Sequence, residues 1–457
     1  VGLLVGGVVV PCVFTTRVDA VFVVPKLAAL WAELALGLAV VATAALTGRA
    51  PADRAFRVTP VDVAVLAFVV ASIAAWGAST DRRQSLYGER LQYQGLLTLL
   101  LYAGLFGIAR LTLADRRGLT RLAVALACGG TLVAGYALIQ RAGLDPVWDG
   151  YLPEGRVFSS IGQPNALAAY LVMVIPITAS LLVIRRPWVR AALVVTLAAM
   201  ALALMFTLSR GGYLAFAVTL IVLTLAARGL PGTTRARATG LAAALFAAVA
   251  IVAAVAPARA AVTTAWHRAA SSTDVAGDAS LRFHVDAWTV AAHIAADHPL
   301  LGTGPETFPD VFPRYSHDVL PEKRAAALDA YRVESPHNVY LAIAAGSGFP
   351  ALFAYVGIVA GFLALVLRGI VRTTASATRI ALVGVLAASA GHLVADAFMT
   401  ADVTSTSIFW VLMGAALPVA WAEIGVGHSR RAQRGMAEMT RRRPPRSSGS
   451  RRTPSGR

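Results

Sequence analysis

The chain has little cysteine, almost no lysine and few charges of either sign. Its two cysteines, Cys12 and Cys128, both lie inside apolar runs. That excludes a disulfide framework and a cysteine-based metal cluster, and both read as small buried hydrophobes. Lysine occurs only at positions 26 and 323. Charged residues make up 14% of the 457 against 57% hydrophobic, and the mean hydropathy is +0.66. A soluble domain of this size needs far less apolar surface. A bilayer demands it, in stretches of ~20 residues. The pair Gly302 and Gly304 is not followed by Gly-Lys-Ser/Thr, so there is no phosphate-loop fingerprint. Val1 opens without a basic stretch or a small-residue cleavage site, and the first apolar run reads as a retained helix rather than a signal peptide.

The net charge of +17 resembles a nucleic-acid signal and is read differently. Between His428 and Arg457 stand ten arginines and one acid, Glu438. This Pro-, Ser- and Gly-containing tail cannot bury a core. It is expected to be disordered, cytoplasmic and attracted to anionic lipid headgroups, with no nucleic acid as partner.

What is present is a series of apolar runs: 1–14, 24–46, 61–78, 93–113, 119–141, 166–184, 188–208, 212–226, 238–257, 338–367, 380–397 and 403–422. The fold class is therefore all-α, a polytopic membrane protein of about 12 transmembrane helices. The run 338–367 exceeds one span and contains Gly346, Gly348 and Pro350, so a break is expected there. Arginines gather in alternate loops: 49–57, 110–121, 185–190, 228–237, 368–379 and the tail. The positive-inside rule makes these cytoplasmic. Both termini then lie inside, and one long extracytoplasmic loop precedes helix 10. The division is 1–257 membrane, 258–337 loop, 338–427 membrane and 428–457 tail. Within the loop, Ser280–His298 reads as a helix that buries Phe283, Ala287, Val290, Ala291 and Ile294, and Phe308 to Tyr315 suggests a second amphipathic piece.

Six of the eight histidines fall between Pro257 and Asn338. A membrane protein that gathers its titratable side chains on one side is expected to do its chemistry there. Ser209-Arg210-Gly211-Gly212 reads as a two-glycine turn. It holds an arginine at the outer face, suited to bidentate grip of a phosphate; a merely snorkelling arginine fits about equally well. Arg282 with Trp288 reads either as a solvated face with an aromatic anchor or as a headgroup contact. His337 follows Pro336 at a helix boundary, and neighbouring arginines would keep it neutral and able to accept a proton. Asn338 suits a helix cap or a sugar hydroxyl. His392 and Asp396 share a helix face, as an oriented imidazole or a proton relay. Arg156 is a further external cation. Glu33, isolated in span two, suits a structural hydrogen bond to a neighbouring helix.

The order Gly-Arg-Val-Phe…Gln-Pro-Asn (155–165), Ser-Arg-Gly-Gly (209–212) and Leu-Arg-x5-Trp (281–288) resembles the O-antigen ligase and polymerase superfamily. So do His-Pro-Leu-Leu-Gly-Thr-Gly (298–304), Pro-His-Asn-Val-Tyr-Leu (336–341) and His-x3-Asp (392–396). The resemblance covers about 155–400. It implies a GT-C-like glycosyltransferase of the bacterial inner membrane, without cofactor or metal. The donor would be a glycan on undecaprenyl diphosphate and the acceptor a saccharide or other envelope hydroxyl. It further implies His337 as general base and Arg210 and Arg282 on the diphosphate. Arg156, Asn338, Ser209, Trp288, His392 and Asp396 would contact substrate. A protein O-oligosaccharyltransferase and a carrier of a small solute such as bicarbonate are the competing readings.

Overall fold

A computed structural model describes residues 2–48, 58–228, 279–330 and 332–441. Among these, all regular structure is helical. Eight helices are long and apolar enough to cross a membrane, and Gly2–Cys12, Leu96–Thr112 and Arg210–Ala226 are shorter apolar helices. Eleven of the twelve expected spans thus have their helix. The ninth, 238–257, lies outside the described residues.

The first part of the chain forms α1 (Gly2–Cys12), α2 (Val24–Leu46), α3 (Pro60–Gly77), the short polar connector α4 (Arg82–Tyr87), α5 (Leu96–Thr112), α6 (Arg116–Arg141), α7 (Pro164–Ser180), α8 (Pro187–Phe206) and α9 (Arg210–Arg228), all but α4 apolar enough to serve as spans. The loop contributes α10 (Ala279–Asp297), α11 (Phe308–Val319) and α12 (Glu322–Asp329). Then follow α13 (Val339–Arg372), α14 (Ser376–Asp396) and α15 (Val403–Arg441). Helix α7 is buried nearly all round and forms the centre with the first half of α15. Leu36, Leu38 and Val40 on α2, Leu66 and Val70 on α3, and Val194 and Val195 on α8 stay exposed. Such apolar faces suit lipid, which gains nothing from hiding them.

Two placements differ from the sequence expectation. Arg110 is not a loop arginine: it is buried in the last turn of α5 and pairs with Asp62, in the first turn of α3, at 3.0 Å. Cys128 is exposed on α6 rather than buried, since one helix face there looks outward. The tail also begins in order. Helix α15 continues to Arg441 where composition predicts disorder from 428. An established span extends at one hydrogen bond per residue, and Ala, Arg, Gln, Met and Glu favour its continuation. Glu33 is buried and lies where Gly6 of α1 leaves room, so that a methyl group on Gly6 would meet its carboxylate.

The expected break in α13 falls at Gly348, whose φ of 78° no helix contains. A break in a membrane helix frees carbonyls that lipid cannot satisfy. The segment 299–304 satisfies them. The amides of Thr303 and Gly304 donate to Ala345 and Gly346 at 3.0 and 2.9 Å, and Phe349 N–H donates to Pro299 at 2.8 Å. The glycines permit this approach, because a Cβ on Gly302 or Gly348 would stand 2.3 or 2.4 Å from opposing backbone. Thr80 N–H donates to Thr303 O on the same plug, and Gln84 Nε2 donates to Glu306 O. The loop end of the bundle is therefore one packed unit built from three chain segments, 80–84, 299–306 and 345–349. Gly348→Ala is expected to lose ~1–3 kcal/mol or more from backbone strain alone. It would read as a lower thermal midpoint in detergent, and an unchanged midpoint would contradict the plug.

Candidate functional site

The loop helix α10 buries Ala287, Val290, Ala291 and Ile294 completely, as its spacing predicts, against Phe308 and Phe312 of α11. Helix α12 was not expected from the sequence. This small core seats α10 on α13 and carries Phe283, His284 and Trp288 toward the bundle.

His337 sits at the entry to α13 with φ 49°. That left-handed conformation is uncommon for a side chain larger than glycine and recurs at functional sites. Two hydroxyls hold it. Its backbone N–H donates to Ser335 Oγ at 3.2 Å, and its Nδ1 lies 3.0 Å from Thr400 Oγ1. Ser335 and Thr400 also bond each other. The imidazole packs 5.6 Å from the Phe283 ring and 5.5 Å from His284. Burial, with a smaller contribution from His284, pushes its pKa down to about 4. The ring is therefore neutral near pH 7, as expected, but dehydration rather than neighbouring arginines keeps it so.

From His284 an aromatic contact leads to Trp288 at 6.2 Å, and from Trp288 to Phe398 at 5.9 Å. Phe398 lies against Gly211, where a Cβ would meet it at 3.0 Å. Arg210, the first residue of α9, is thus next to this chain of rings. The turn differs from expectation. It falls at Leu208, with φ 49°, ahead of the glycines. Gly211 and Gly212 lie inside the first helical turn, where they allow close approach to Phe398 and to Ala168 of α7. Ser209 Oγ accepts from Gly212 N–H as a helix cap.

Arg156 holds this turn from outside. Its Nε donates to Thr207 O at 2.8 Å and its guanidinium to Asn165 Oδ1 at 2.6 Å. That ties the Gly-Arg-Val-Phe and Gln-Pro-Asn segments to the segment bearing Arg210. Arg282 is exposed near the start of α10, in the field of Asp286 one turn on. Asp286, also paired with Arg324 at 2.7 Å, has its pKa raised by burial against the pull of both arginines. Trp288 Nε1 is buried without a hydrogen-bond partner among the described residues.

Asn338 Oδ1 caps α13 by accepting from Leu341 N–H at 3.0 Å. Its neighbour Val339 and Asn338 itself also line a cleft that descends between α3, α5, α13 and α15 to Asp396. His392 lies beneath: it is 1% exposed, its Nε2 is 3.6 Å from Asp396, and Phe409 covers it at 4.6 Å. So Asp396 reaches open space and His392 does not. Ser335, Thr400 and Glu306 were missed as site residues. One signal was available: 400–407 reads Thr-Ala-Asp-Val-Thr-Ser-Thr-Ser, an unusually polar entry for an apolar span. Among the described residues, no group of three or more His, Cys, Asp or Glu side chains is arranged to hold a metal ion.

Residues 195–356 match the family model described as O-Antigen ligase. No curated protein matches the chain. The matched stretch contains Arg210, Arg282 and His337, together with the loop plug and the break in α13.

Proposed function

We propose, from the match of residues 195–356 to the O-antigen ligase family model, that the protein transfers a glycan from undecaprenyl diphosphate to an acceptor hydroxyl at the extracytoplasmic face. The observation that carries the proposal is the setting of His337: a neutral imidazole in a strained turn, in ring contact with α10, which bears Arg282, and linked through His284, Trp288 and Phe398 to the start of α9, which bears Arg210.

If Nδ1–H donates to Thr400, the lone pair of Nε2 is the basic site. It takes the proton of the acceptor hydroxyl as the oxygen bonds to the anomeric carbon. The bond from that carbon to the diphosphate oxygen breaks on the opposite face, and configuration inverts. Negative charge accumulates on the departing undecaprenyl diphosphate, and cations positioned there stabilise it. Arg210 is assigned to that task with Arg282. It stands at a helix N-terminus, where the dipole also favours an anion. Arg156 becomes a positioning residue, with Ser209, for the turn that presents Arg210. Trp288 packs beside the reacting groups, while Asn338 and Asp396 face the acceptor.

A small-solute carrier would keep open backbone at a helix break to coordinate its cargo. Here the carbonyls of Ala345 and Gly346 are already taken by the loop plug. The acceptor, whether saccharide, lipid or protein, distinguishes ligase, polymerase and protein O-oligosaccharyltransferase within the same chemistry.

The test is release of undecaprenyl diphosphate and glycan transfer by the purified protein in detergent with EDTA present. No turnover of any undecaprenyl-diphosphate oligosaccharide would sink the reading, and turnover abolished by EDTA would replace the arginines with a metal. The acid limb of kcat/KM follows from His337. A base is lost on protonation, and its pKa is lowered to about 4, so activity should hold on descending through pH 6 and fall only near pH 4. A limb at the ordinary histidine value of ~6.5 would mean that the ring is solvated in the working enzyme. For the orientation, Ala326 is exposed on α12. Ala326→Cys should react with an impermeant maleimide on intact cells, and reaction only after lysis would place the loop inside.

A further inference from the structure

Beside Ser335 and Thr400, the two hydroxyls that hold His337, lies the cleft noted above, lined by no residue of α10. It has an empty volume of about 910 Å³, counting the part open to its surroundings. Its upper wall is Ser335, Asn338 and Thr400, and its floor is Tyr355, Asp396 and Trp410. Two carboxyl groups line it, Glu306 and Asp396, and no arginine, lysine or histidine does among the described residues. Glu306 is held at φ 61°. Burial, with the nearby carboxylates of Glu89 and Glu334, pushes its pKa up to about 7. Asp396 is 4% exposed, with the Tyr355 hydroxyl 3.5 Å away.

Among the described residues the cleft offers a diphosphate no cation, and stripping water from its charge beside two buried carboxyl groups is costly at low dielectric. Arg210 and the N-terminus of α9, which do not line the cleft, attract it instead. A neutral polyhydroxylated ring has the opposite preference. Its hydroxyls donate to carboxylates, while its C–H faces pack on the aromatic walls of Phe68, Tyr355 and Trp410. Thr400 and Ser335 belong at once to this wall and to the hydrogen-bonded support of His337.

We propose that this cleft is the acceptor subsite and that it binds a neutral saccharide ring through Glu306, Asp396 and Asn338, with Thr400 standing between it and His337. The proposal rests on the glycan-transfer reading above for its purpose. Its binding claim is tested without any transfer.

The probes are a panel of phenyl glycosides and, separately, undecaprenyl diphosphate. The protein is the full chain in lipid nanodiscs free of sugar detergent, and the readout is ligand-observed saturation-transfer NMR. At least one glycoside should bind. Ala342→Trp, which fills the cleft from α13, should weaken that binding at least tenfold, and Glu306→Gln should weaken it severalfold without adding bulk. Arg210→Ala should keep glycoside binding and lose undecaprenyl diphosphate. Equal glycoside signals from wild type and both cleft variants would overturn the proposal, and so would a panel in which no glycoside binds. If glycosides bind as expected but no donor turns over, the transfer reading fails while the subsite stands.

Discussion

His337→Ala is expected to transfer glycan ~10²–10⁴-fold more slowly than the wild type, the usual contribution of a positioned general base. A hydroxyl is a poor nucleophile at neutral pH, and among the described residues no other imidazole touches both Thr400 and the ring cluster of α10. His284 packs against both His337 and Trp288. The left-handed backbone at 337 complicates an alanine variant, because a change of side chain could move the turn itself. Asparagine tolerates that conformation better. His337→Asn therefore separates the roles, since it can keep the turn and cannot serve as the base. Both variants should bind undecaprenyl diphosphate within a few-fold of wild type and show the same large loss in single-turnover rate. Rates within tenfold of wild type in both would remove His337 from the chemistry.

The second large effect is expected at Arg210. Removing a charge that stabilises a developing anion costs ~10²–10³-fold in kcat, and Arg210→Ala should fall in that range. The split between kcat and KM is the informative part. An arginine that only anchors the resting diphosphate changes KM. One that matches the charge accumulating on the leaving group lowers kcat as well. Arg210→Lys should recover part of the loss, because the charge remains and the bidentate geometry does not. A change confined to KM would reduce Arg210 to a binding residue, and wild-type rates would remove it from the site. Arg156 is bonded to Thr207 and Asn165 rather than directed into the ring cluster. Its alanine variant should therefore act through the turn at Leu208, with a smaller loss.

Much of this protein was legible from one strand of letters. Runs of ~20 apolar residues can satisfy their own backbone only as helices once in lipid, and eleven of the expected spans follow. The same logic exposed the weak point at Gly346-Ser347-Gly348-Phe349-Pro350, since proline and paired glycines interrupt any helix. The face of α10 was also readable, because burial on a helix leaves a period.

Other features left no local trace. That Gly302-Thr303-Gly304 would close the break in α13 depends on two segments more than 40 residues apart meeting backbone to backbone, and hydrogen bonds between amides leave no side-chain signature. Arg110 and Arg156 carry the same letter as a loop arginine. Only their partners, Asp62 for one and Thr207 with Asn165 for the other, reveal structural work.

Sequence by itself determined the helical class, the spans that fall among the described residues, the break in α13 and the motifs that carry the family resemblance. These depend on hydrophobicity, periodicity and residue type, all local properties of the chain. Tertiary structure alone decided which hydroxyls hold His337, that Phe398 joins the start of α9 to the loop helix, and that a cleft with two carboxyl groups opens beside Thr400. Each of these is set by packing between helices distant in sequence, where position in space rather than residue identity determines the partner.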